Sequence, residues 1–308
     1  MCTLSAINWG KIKTPEDFAK PCELAVRGLD ALLTYQDYPV KAAKTATEGR
    51  RPLGVGIINL AYWMAKNGMT YTQPNLEMID TFAEAWSYYL IKASADLAEE
   101  QGACLWSDQT KYHNGLTPNQ TYKQDVDELV PHKERMDWRG LRDQLKRTGI
   151  RNSTLMALMP AETSAQISNA TNGIEPPRSL VSVKQSKHGV LKQVVPSIHK
   201  LKNKYELLWD QRSPEGYLSI MAVLQKYIDQ GISVNTSYNP VFYEDEKISM
   251  SEMLRHLMIF YKYGGKQLYY FNTYDGQGEL DVDKLSESSN ITVPETEIEE
   301  EDCESCVI

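Results

Sequence analysis

Two cysteines separated by two residues, Cys303 and Cys306, lie at the end of the 308-residue sequence. Thiols at this spacing either form a reversible disulfide or supply half of a zinc site. No second Cys/His pair lies nearby, so a dithiol is favoured over a metal site. We expect this pair to pass electrons by thiol–disulfide exchange, with an inert tail as the alternative.

Cys2 lies at the other end of the sequence and is followed by an apolar run that would order it. Taken alone it is a buried thiol, the commoner case for cysteine. If a mobile dithiol is available elsewhere in the chain, Cys2 becomes a plausible redox target. The remaining cysteines, Cys22 and Cys104, are widely spaced, and the total of five is odd. Together with a start that lacks a signal peptide, this pattern favours a reducing, cytoplasmic location.

Tyr269 and Tyr270 are adjacent in the run LYYFNT, which is predicted to be a buried strand. Neighbouring residues of a strand point to opposite faces, so one tyrosine should face the core and the other the opposite side. Packing is the ordinary explanation for such a pair. The five histidines show no metal-ligand spacing, and no Ser/His/Asp or HExxH pattern is present.

A fourth candidate is the segment from 151 to 181, where a short apolar run ends at Pro160 and residues 161–166 are predicted to begin a helix. A strand that leads into a helix N-terminus presents unpaired backbone N–H groups and the positive end of the helix dipole. This arrangement suits a phosphate group. An ordinary strand, cap and helix is the alternative interpretation.

The rest of the sequence supplies elements that could position these residues. Apolar periodicity and capping residues predict helices over 14–35, 75–101, 138–146, 216–230 and 250–263, with a β-hairpin over 180–195. Helices dominate and the strands are short and interspersed. The fold class is therefore predicted to be α/β or mixed.

Composition excludes several classes of protein. With 42% hydrophobic and 24% charged residues the chain is typical of a globular protein, and no stretch approaches the ~20 apolar residues of a membrane span. A pI near 5.3 argues against general nucleic-acid binding. Residues 281–308 hold ten of the 41 acidic side chains and one of the 33 basic ones. The net charge of −8 therefore belongs to a tail that is predicted to be disordered.

Taken together, these segments resemble the large, catalytic chain of class I ribonucleotide reductase. The motifs that carry the resemblance are CTLSAINWG at 2–10, LDALLTYQDYP at 29–39, RNSTLMALMPAETSAQISNATNGIEPPR at 151–178, LYYFNT at 268–273 and CESC at 303–306. The resemblance implies an α/β fold in which residues 1–276 form the C-terminal half of a ten-stranded barrel. Residues 277–308 would be a flexible acidic tail that carries the redox dithiol.

The resemblance also assigns roles to the candidate residues. Cys2 matches the family cysteine that, with an upstream partner thiol, reduces the ribose 2′-carbon and becomes a disulfide. Tyr269 and Tyr270 match the stacked pair that relays the radical from the small subunit. Cys303 and Cys306 match the tail dithiol that re-reduces the active-site disulfide and is recharged by thioredoxin or glutaredoxin. Their two intervening residues differ from the four in some bacterial members.

The loop at the start of the predicted short helix would bind the substrate diphosphate through backbone N–H groups and hydroxyls. Its members are Ala161, Glu162, Thr163, Ser164 and Ala165. Family members often carry hydroxyls at positions 161 and 165, where this chain has alanine. The backbone donors are kept, whereas some side-chain contacts are lost.

The family's radical cysteine, its acid/base residues and its ATP-binding region have no counterpart in this sequence. The resemblance therefore implies that the chain is inactive alone and reduces ribonucleoside diphosphates with a separate N-terminal portion and a small subunit. The small subunit would hold the di-metal centre and tyrosyl radical, and ATP or dATP would act on the N-terminal portion. No cofactor, nucleic acid or membrane is expected to bind this chain. Two alternatives are a degenerate remnant that only binds partner subunits and a free-standing dithiol oxidoreductase.

Overall fold

The structure is a computed structural model that describes residues 3–186 and 189–276. Within these ranges the α-helices are α1 (Ala19–Tyr35), α2 (Lys41–Arg50), α3 (Leu60–Lys66), α4 (Leu76–Gln101), α5 (Trp138–Thr148), α6 (Glu162–Ile167), α7 (Ile198–Leu201), α8 (Glu215–Gln225) and α9 (Met250–Lys262). The strands are β1 (Leu4–Asn8), β2 (Gly54–Ile58), β3 (Val181–Ser186), β4 (Gly189–Val194), β5 (Ser233–Tyr238) and β6 (Gln267–Thr273). Short 3-10 helices lie at Trp9–Lys11, Pro15–Phe18, Ser107–Gln109, Tyr112–Asn114, Pro118–Gln120, Gln124–Glu128, Lys202–Lys204, Leu208–Asp210, Pro240–Phe242 and Glu244–Glu246. The predicted tail, 277–308, lies outside the described residues.

The long helix α4 forms the centre of the core. It begins where the Asn75 side chain accepts a hydrogen bond from the Met78 N–H (3.0 Å), and it ends at Gly102, whose φ of +86° suits glycine. Most of its residues are buried, and it packs against α1, α5 and α8. The predicted long, buried helix is therefore confirmed. Although α4 has 26 residues, no helix of the described part is both long and apolar enough to span a bilayer.

An aromatic cluster fills the space between α4 and the N-terminal elements. The Trp9 ring lies 5.4 Å from those of Phe18 and Trp63, mostly edge to face, and 6.4 Å from that of Trp86. All four side chains are essentially inaccessible to water. Each ring buries a large apolar area, so this cluster anchors β1 and α1 to the centre of the molecule.

Parallel pairing aligns the segments that carry the candidate site. β1 pairs with β2, with Leu4 opposite Gly54, and residues 154–157 run along the other side of β2. There the Val55 N–H donates to the Leu155 carbonyl over 2.7 Å. Gly56 allows this close approach, because a Cβ at that position would lie 2.7 Å from the Ala157 carbonyl oxygen. β2 thus lies between β1 and residues 154–157 in a parallel ladder, and the carboxyl ends of all three segments lie at one edge.

Two further pairs complete the strands. β3 and β4 form the predicted antiparallel hairpin, and β5 and β6 form a second parallel pair. Mixed helices and strands agree with the predicted α/β class. The described residues, however, form three two-stranded sheets and no closed barrel, so the prediction of half a ten-stranded barrel is not confirmed.

Two elements differ from their predictions. α8 ends at Gln225 and does not continue to 230, because the Gln225 side chain donates to the Gln230 carbonyl (2.8 Å) and accepts from the Ile232 N–H (3.1 Å). These bonds hold a turn that competes with further helix. The strand β6 is not buried as predicted: Phe271, at 45% exposure, is one of its three exposed aromatic residues.

Candidate functional site

A β-bulge lies in the middle of the β5–β6 pair. Val234 is opposite Leu268 and Thr236 is opposite Phe271, so the single residue Asn235 faces two residues of β6. Those two residues are Tyr269 and Tyr270. An extra residue interrupts the alternation of side chains, so neighbours on the bulged strand no longer have to point to opposite faces.

Tyr269 and Tyr270 are consequently side by side on the surface. Their ring centroids are 4.2 Å apart with the planes inclined by 57°, and the two side chains are 59% and 56% exposed. The prediction that one of the two faces the core is therefore wrong. The Tyr270 hydroxyl donates to the Tyr269 hydroxyl over 3.4 Å, at the long end for such a bond. This hydrogen bond raises the pKa of the Tyr270 phenol above its usual value.

The pair has the geometry for exchange of a hydrogen atom. A tyrosine is ordinarily a neutral phenol at pH 7, and the shift in the pKa of Tyr270 is upward, so this side chain carries the proton that such an exchange must move. The hydrogen bond gives that proton a direct path between the oxygens, and the ring contact brings the two π-systems together. Moving a proton and an electron together leaves the net charge of each side chain unchanged.

The bulge is held by a side-chain amide. The Asn235 Oδ1 atom accepts a hydrogen bond from the Tyr270 backbone N–H (3.1 Å), and its Nδ2 donates to Glu175 Oε1 (2.7 Å). Glu175 lies in the segment that follows α6. Neither Asn235 nor Glu175 was selected from the sequence as a candidate, because their meeting depends on the pairing of β5 with β6.

The predicted diphosphate loop lies where residues 154–157 lead into α6. The Ala161 N–H donates to Asn172 Oδ1 (2.9 Å), and the Ala165 N–H donates to the Ala161 carbonyl (2.8 Å). Ala165 is fully buried. Glu162, Thr163 and Ser164 between them are exposed and lie in the first turn, whose N–H groups have no intrahelical acceptor.

Asn59 joins the segment that follows α6 to the carboxyl ends of the parallel strands. Its backbone has a φ of +68°, and its side chain is 2% exposed. Nδ2 donates to Asn8 Oδ1 at the end of β1 (3.0 Å), whereas Oδ1 accepts from the Thr171 N–H (2.9 Å). The Asn59 N–H also donates to the Thr171 carbonyl (2.9 Å). Asn8, Asn59, and the loop that includes Asn172 therefore lie at one edge of the sheet.

A cavity of about 730 Å³ lies at the opposite end of the strands. It is lined by Thr154, Asp229 and Lys266, which precede or begin the parallel segments, and by Tyr112. In α/β folds ligand sites are found at the carboxyl ends of parallel strands. The cavity is therefore distinct from the edge that carries the loop.

The two cysteines within the residues that the structure describes, Cys22 and Cys104, are structural. Both are buried and not in disulfides, and burial raises the pKa of each thiol. Neither is suited to nucleophilic or redox chemistry at neutral pH. Cys2, Cys303 and Cys306 lie outside the described residues. In the part of the chain that is described, no three His, Cys, Asp or Glu side chains are grouped to hold a metal ion.

Comparison with known proteins identifies the class. The family described as "Ribonucleotide reductase, barrel domain" matches residues 1–271, which is most of the chain. The chain belongs to this family.

Individual relatives agree with this assignment. The chain is 52% identical over 284 residues to the ribonucleoside-diphosphate reductase subunit alpha of Haemophilus influenzae, a match that covers 92% of this chain and 38% of the relative. It is 51% identical over 253 residues to ribonucleoside-diphosphate reductase 1 subunit alpha of Escherichia coli (82% of this chain, 33% of the relative). The phage T4 subunit alpha is 41% identical over 290 residues. The chain thus spans between a third and two-fifths of the length of the bacterial relatives.

Proposed function

We propose that this chain is the C-terminal portion of a ribonucleoside-diphosphate reductase large subunit. It reduces ribonucleoside diphosphates to deoxyribonucleotides when it is assembled with a portion that carries the upstream sequence and with a radical-generating small subunit. The observation that carries the proposal is the contact between Tyr269 and Tyr270, two exposed phenols 4.2 Å apart between ring centroids. A pair packed only for stability would bury its rings.

In this proposal the two tyrosines relay the radical. A tyrosyl radical on one of them takes a hydrogen atom from the neighbouring phenol, so one O–H bond forms as the other breaks. Electrons and protons are conserved, and the radical moves by one residue. The hydroxyl–hydroxyl hydrogen bond of 3.4 Å supports a direct transfer, and surface exposure of both rings leaves them accessible to the small subunit.

The loop at α6 binds the substrate diphosphate. Exposed first-turn residues Glu162, Thr163 and Ser164 offer backbone N–H groups and two hydroxyls to phosphate oxygens. Ala161 and Ala165 shape the loop through their own backbone bonds. Its place at the carboxyl edge of the parallel strands supports a substrate role.

The thiols complete the reaction cycle. Cys2 and a partner thiol of the upstream portion supply two electrons to the ribose and become a disulfide. Cys303 and Cys306 then reduce that disulfide by exchange, and thioredoxin or glutaredoxin reduces the tail in turn. No cofactor is required on this chain. The small subunit holds the di-metal centre with its tyrosyl radical, and ATP and dATP act on the upstream portion.

The unpaired edge of β1, with the groove beside it, is the proposed docking surface for the upstream portion. Among the described residues β1 pairs only with β2, so its other edge is open. A groove beside it is lined by Ser5, Ala6 and Leu24, and Leu24 is 57% exposed. The matched relatives continue for more than half of their length beyond the region shared with this chain. An added strand would cover both the edge and the apolar surface.

The test is reconstitution of activity from separate parts. The full chain, the upstream portion of the large subunit and the small subunit are assayed for CDP reduction, singly and mixed, with a thioredoxin system. We expect turnover only in the complete mixture. As a matched control, a chain with Tyr270→Phe should bind its partners but give no product.

Other results would support the alternatives. Partner binding without turnover by the folded wild-type components would indicate a remnant that only binds subunits. Disulfide-reductase activity of this chain alone, without any partner, would indicate a free-standing dithiol oxidoreductase. Either result would contradict the proposed function.

A further inference from the structure

The bulge in β6 creates a polar group that needs a partner. Where two residues face one, the regular ladder of hydrogen bonds is interrupted, and a backbone group of the bulged strand needs another partner. The Asn235 Oδ1 atom accepts the Tyr270 N–H over 3.1 Å. The side chain of the one residue opposite the bulge therefore supplies that partner.

The Asn235 amide is itself fixed at its other end. Its Nδ2 donates to Glu175 Oε1 over 2.7 Å, a short bond to an acidic side chain. Because a carboxylate only accepts hydrogen bonds, Glu175 determines which end of the amide faces Tyr270. Asn235 and Glu175 are both only partly exposed, and water competes less for the bond between them than for a bond on the open surface.

The position of the bulge decides where the two phenols lie. In a regular strand Tyr269 and Tyr270 would point to opposite faces. Their rings could not then be 4.2 Å apart, and the hydrogen bond between their hydroxyls would be lost. Contact between the phenols thus depends on an extra residue being accommodated opposite Asn235.

We propose that Asn235 is a positioning residue for the tyrosine pair, with Glu175 as its anchor, and that it keeps the two phenols in the contact needed for hydrogen-atom transfer. This inference rests on the proposed function for its catalytic consequence. Its structural part, the dependence of the phenol contact on Asn235, can be tested in the isolated full chain.

The inference is tested with variants that move the carboxylate from position 175 to position 235. Asn235→Asp keeps the acceptor for Tyr270 but places a carboxylate against that of Glu175, which breaks the anchor by repulsion. Glu175→Gln alone keeps an acceptor for Asn235. In the double variant Asn235→Asp/Glu175→Gln, the glutamine amide donates to the new carboxylate, and the pair is restored with its polarity reversed. Ser237→Ala, which removes another side-chain contact between β5 and β6, is the matched control.

The first measurement is the titration of the phenols by NMR, with ¹³C-labelled tyrosine in the full chain and Tyr270→Phe for assignment. The raised pKa of Tyr270 comes first from its bond to Tyr269. Asn235→Asp adds a carboxylate that by itself raises this pKa, so the uncharged variant Asn235→Ala is used for the titration. We expect the pKa of Tyr270 to fall toward its ordinary value in Asn235→Ala and to stay raised in the double variant Asn235→Asp/Glu175→Gln. It should be unchanged in Ser237→Ala. An unchanged titration in the folded Asn235→Ala variant would overturn the inference.

The second measurement is turnover in the reconstituted assembly. Misplacing a reacting group by about 1 Å can lower a rate by roughly 100-fold, so we expect kcat to fall by roughly 10- to 100-fold in Asn235→Asp with KM unchanged. The double variant should regain most of the loss, whereas a purely structural role would lower the amount of folded chain and leave kcat per folded molecule intact. If Asn235→Asp does not fold, recovery of both the titration and kcat in the double variant supports the inference, and a folded double variant that lacks both overturns it. An inactive wild-type assembly with the expected titration pattern would instead contradict the proposed function and support the positioning by Asn235.

Discussion

The Asp229 carboxylate accepts a hydrogen bond from the backbone N–H of Leu155 over 2.8 Å, and so takes the place of a neighbouring strand. Its other oxygen accepts the Met156 N–H over 3.1 Å, and the Gln230 amide donates to the Met156 carbonyl over 2.8 Å. Two side chains thus complete the outer edge of the segment that leads to the diphosphate loop. Because the backbone groups are satisfied in this way, no further strand is needed at that edge.

This arrangement predicts a stability that depends on pH. Burial of Asp229 outweighs its hydrogen bonds and raises the pKa of its carboxyl from 3.8 to about 6. The folded state therefore binds the proton more tightly than the unfolded state. The resulting stabilisation is fully present below about pH 4 and is lost as the pH rises to about 6, a change of about 3 kcal/mol.

Urea unfolding between pH 4 and 7 of the wild-type chain and of Asp229→Asn tests this prediction. Asparagine does not titrate, so the difference in unfolding free energy between the two proteins should shift against the wild type as the pH rises. The variant will be less stable at every pH, because its amide offers only one acceptor to two N–H donors. A difference that stays constant across this range would show that Asp229 is not protonated near pH 6.

A second prediction concerns the buried charges around Asp30. This carboxylate, 3% exposed, binds Arg51 Nε (2.6 Å), Arg151 Nε (3.2 Å) and Asn152 Nδ2 (2.9 Å). Asp30→Ala leaves the Arg51 cation buried without its partner. The expected loss is about 3–5 kcal/mol of unfolding free energy.

The ion pair between Glu23 and Arg27 is the matched control, because both side chains are substantially exposed. Glu23→Ala should cost less than about 1 kcal/mol in the same urea titration. Losses of similar size for Asp30→Ala and Glu23→Ala would mean that burial does not determine the strength of these pairs.

The third prediction separates stability from activity at the tyrosine pair. Tyr269→Phe and Tyr270→Phe each remove one hydroxyl from an exposed side chain, so the free energy of unfolding should change by less than about 0.5 kcal/mol. Each should nevertheless abolish CDP reduction in the reconstituted assembly, including a single turnover. Tyr35→Phe, at an 88% exposed position, is the control that should retain full activity. Normal turnover by either variant would exclude that tyrosine from the relay.

The fourth prediction concerns the tail dithiol. Cys303→Ser combined with Cys306→Ser should prevent repeated turnover with thioredoxin, because the oxidised active-site pair is no longer reduced. A single turnover that starts from the reduced enzyme should remain. Ser305→Ala, between the two cysteines, is the matched control. If the double variant turns over repeatedly at the wild-type rate, the tail is not the reductant.

Local signals in the sequence predicted the helices well. Asn75 and Gly102 mark the two ends of α4, and the Ser249 side chain accepts the Glu252 N–H (3.2 Å) at the start of α9. Such caps depend on residues within one turn, so the sequence alone contains the information.

The bulge at Asn235 could not be predicted in this way. Alternation along β6 predicted opposite faces for Tyr269 and Tyr270, and the error lies in a register that only pairing with β5 determines. The hydrogen bonds between Asn172 and Ala161 and between Glu175 and Asn235 also join residues that no sequence motif connects. The adjacency of the tyrosines and the diphosphate motif were visible in the sequence, whereas the residues that hold them in place were not.

The segment from Asn172 to Glu175 limits which substitutions this protein can accept during evolution. Asn172 holds the Ala161 N–H of the loop, and three residues later Glu175 holds Asn235 beside the tyrosines. Between them the Ile174 carbonyl accepts the buried Tyr71 hydroxyl over 2.8 Å. A mutation that displaces this stretch therefore damages two sites at once, and compensation at one of them cannot rescue the other. We expect these four positions to tolerate far fewer substitutions than the exposed residues of α6 itself.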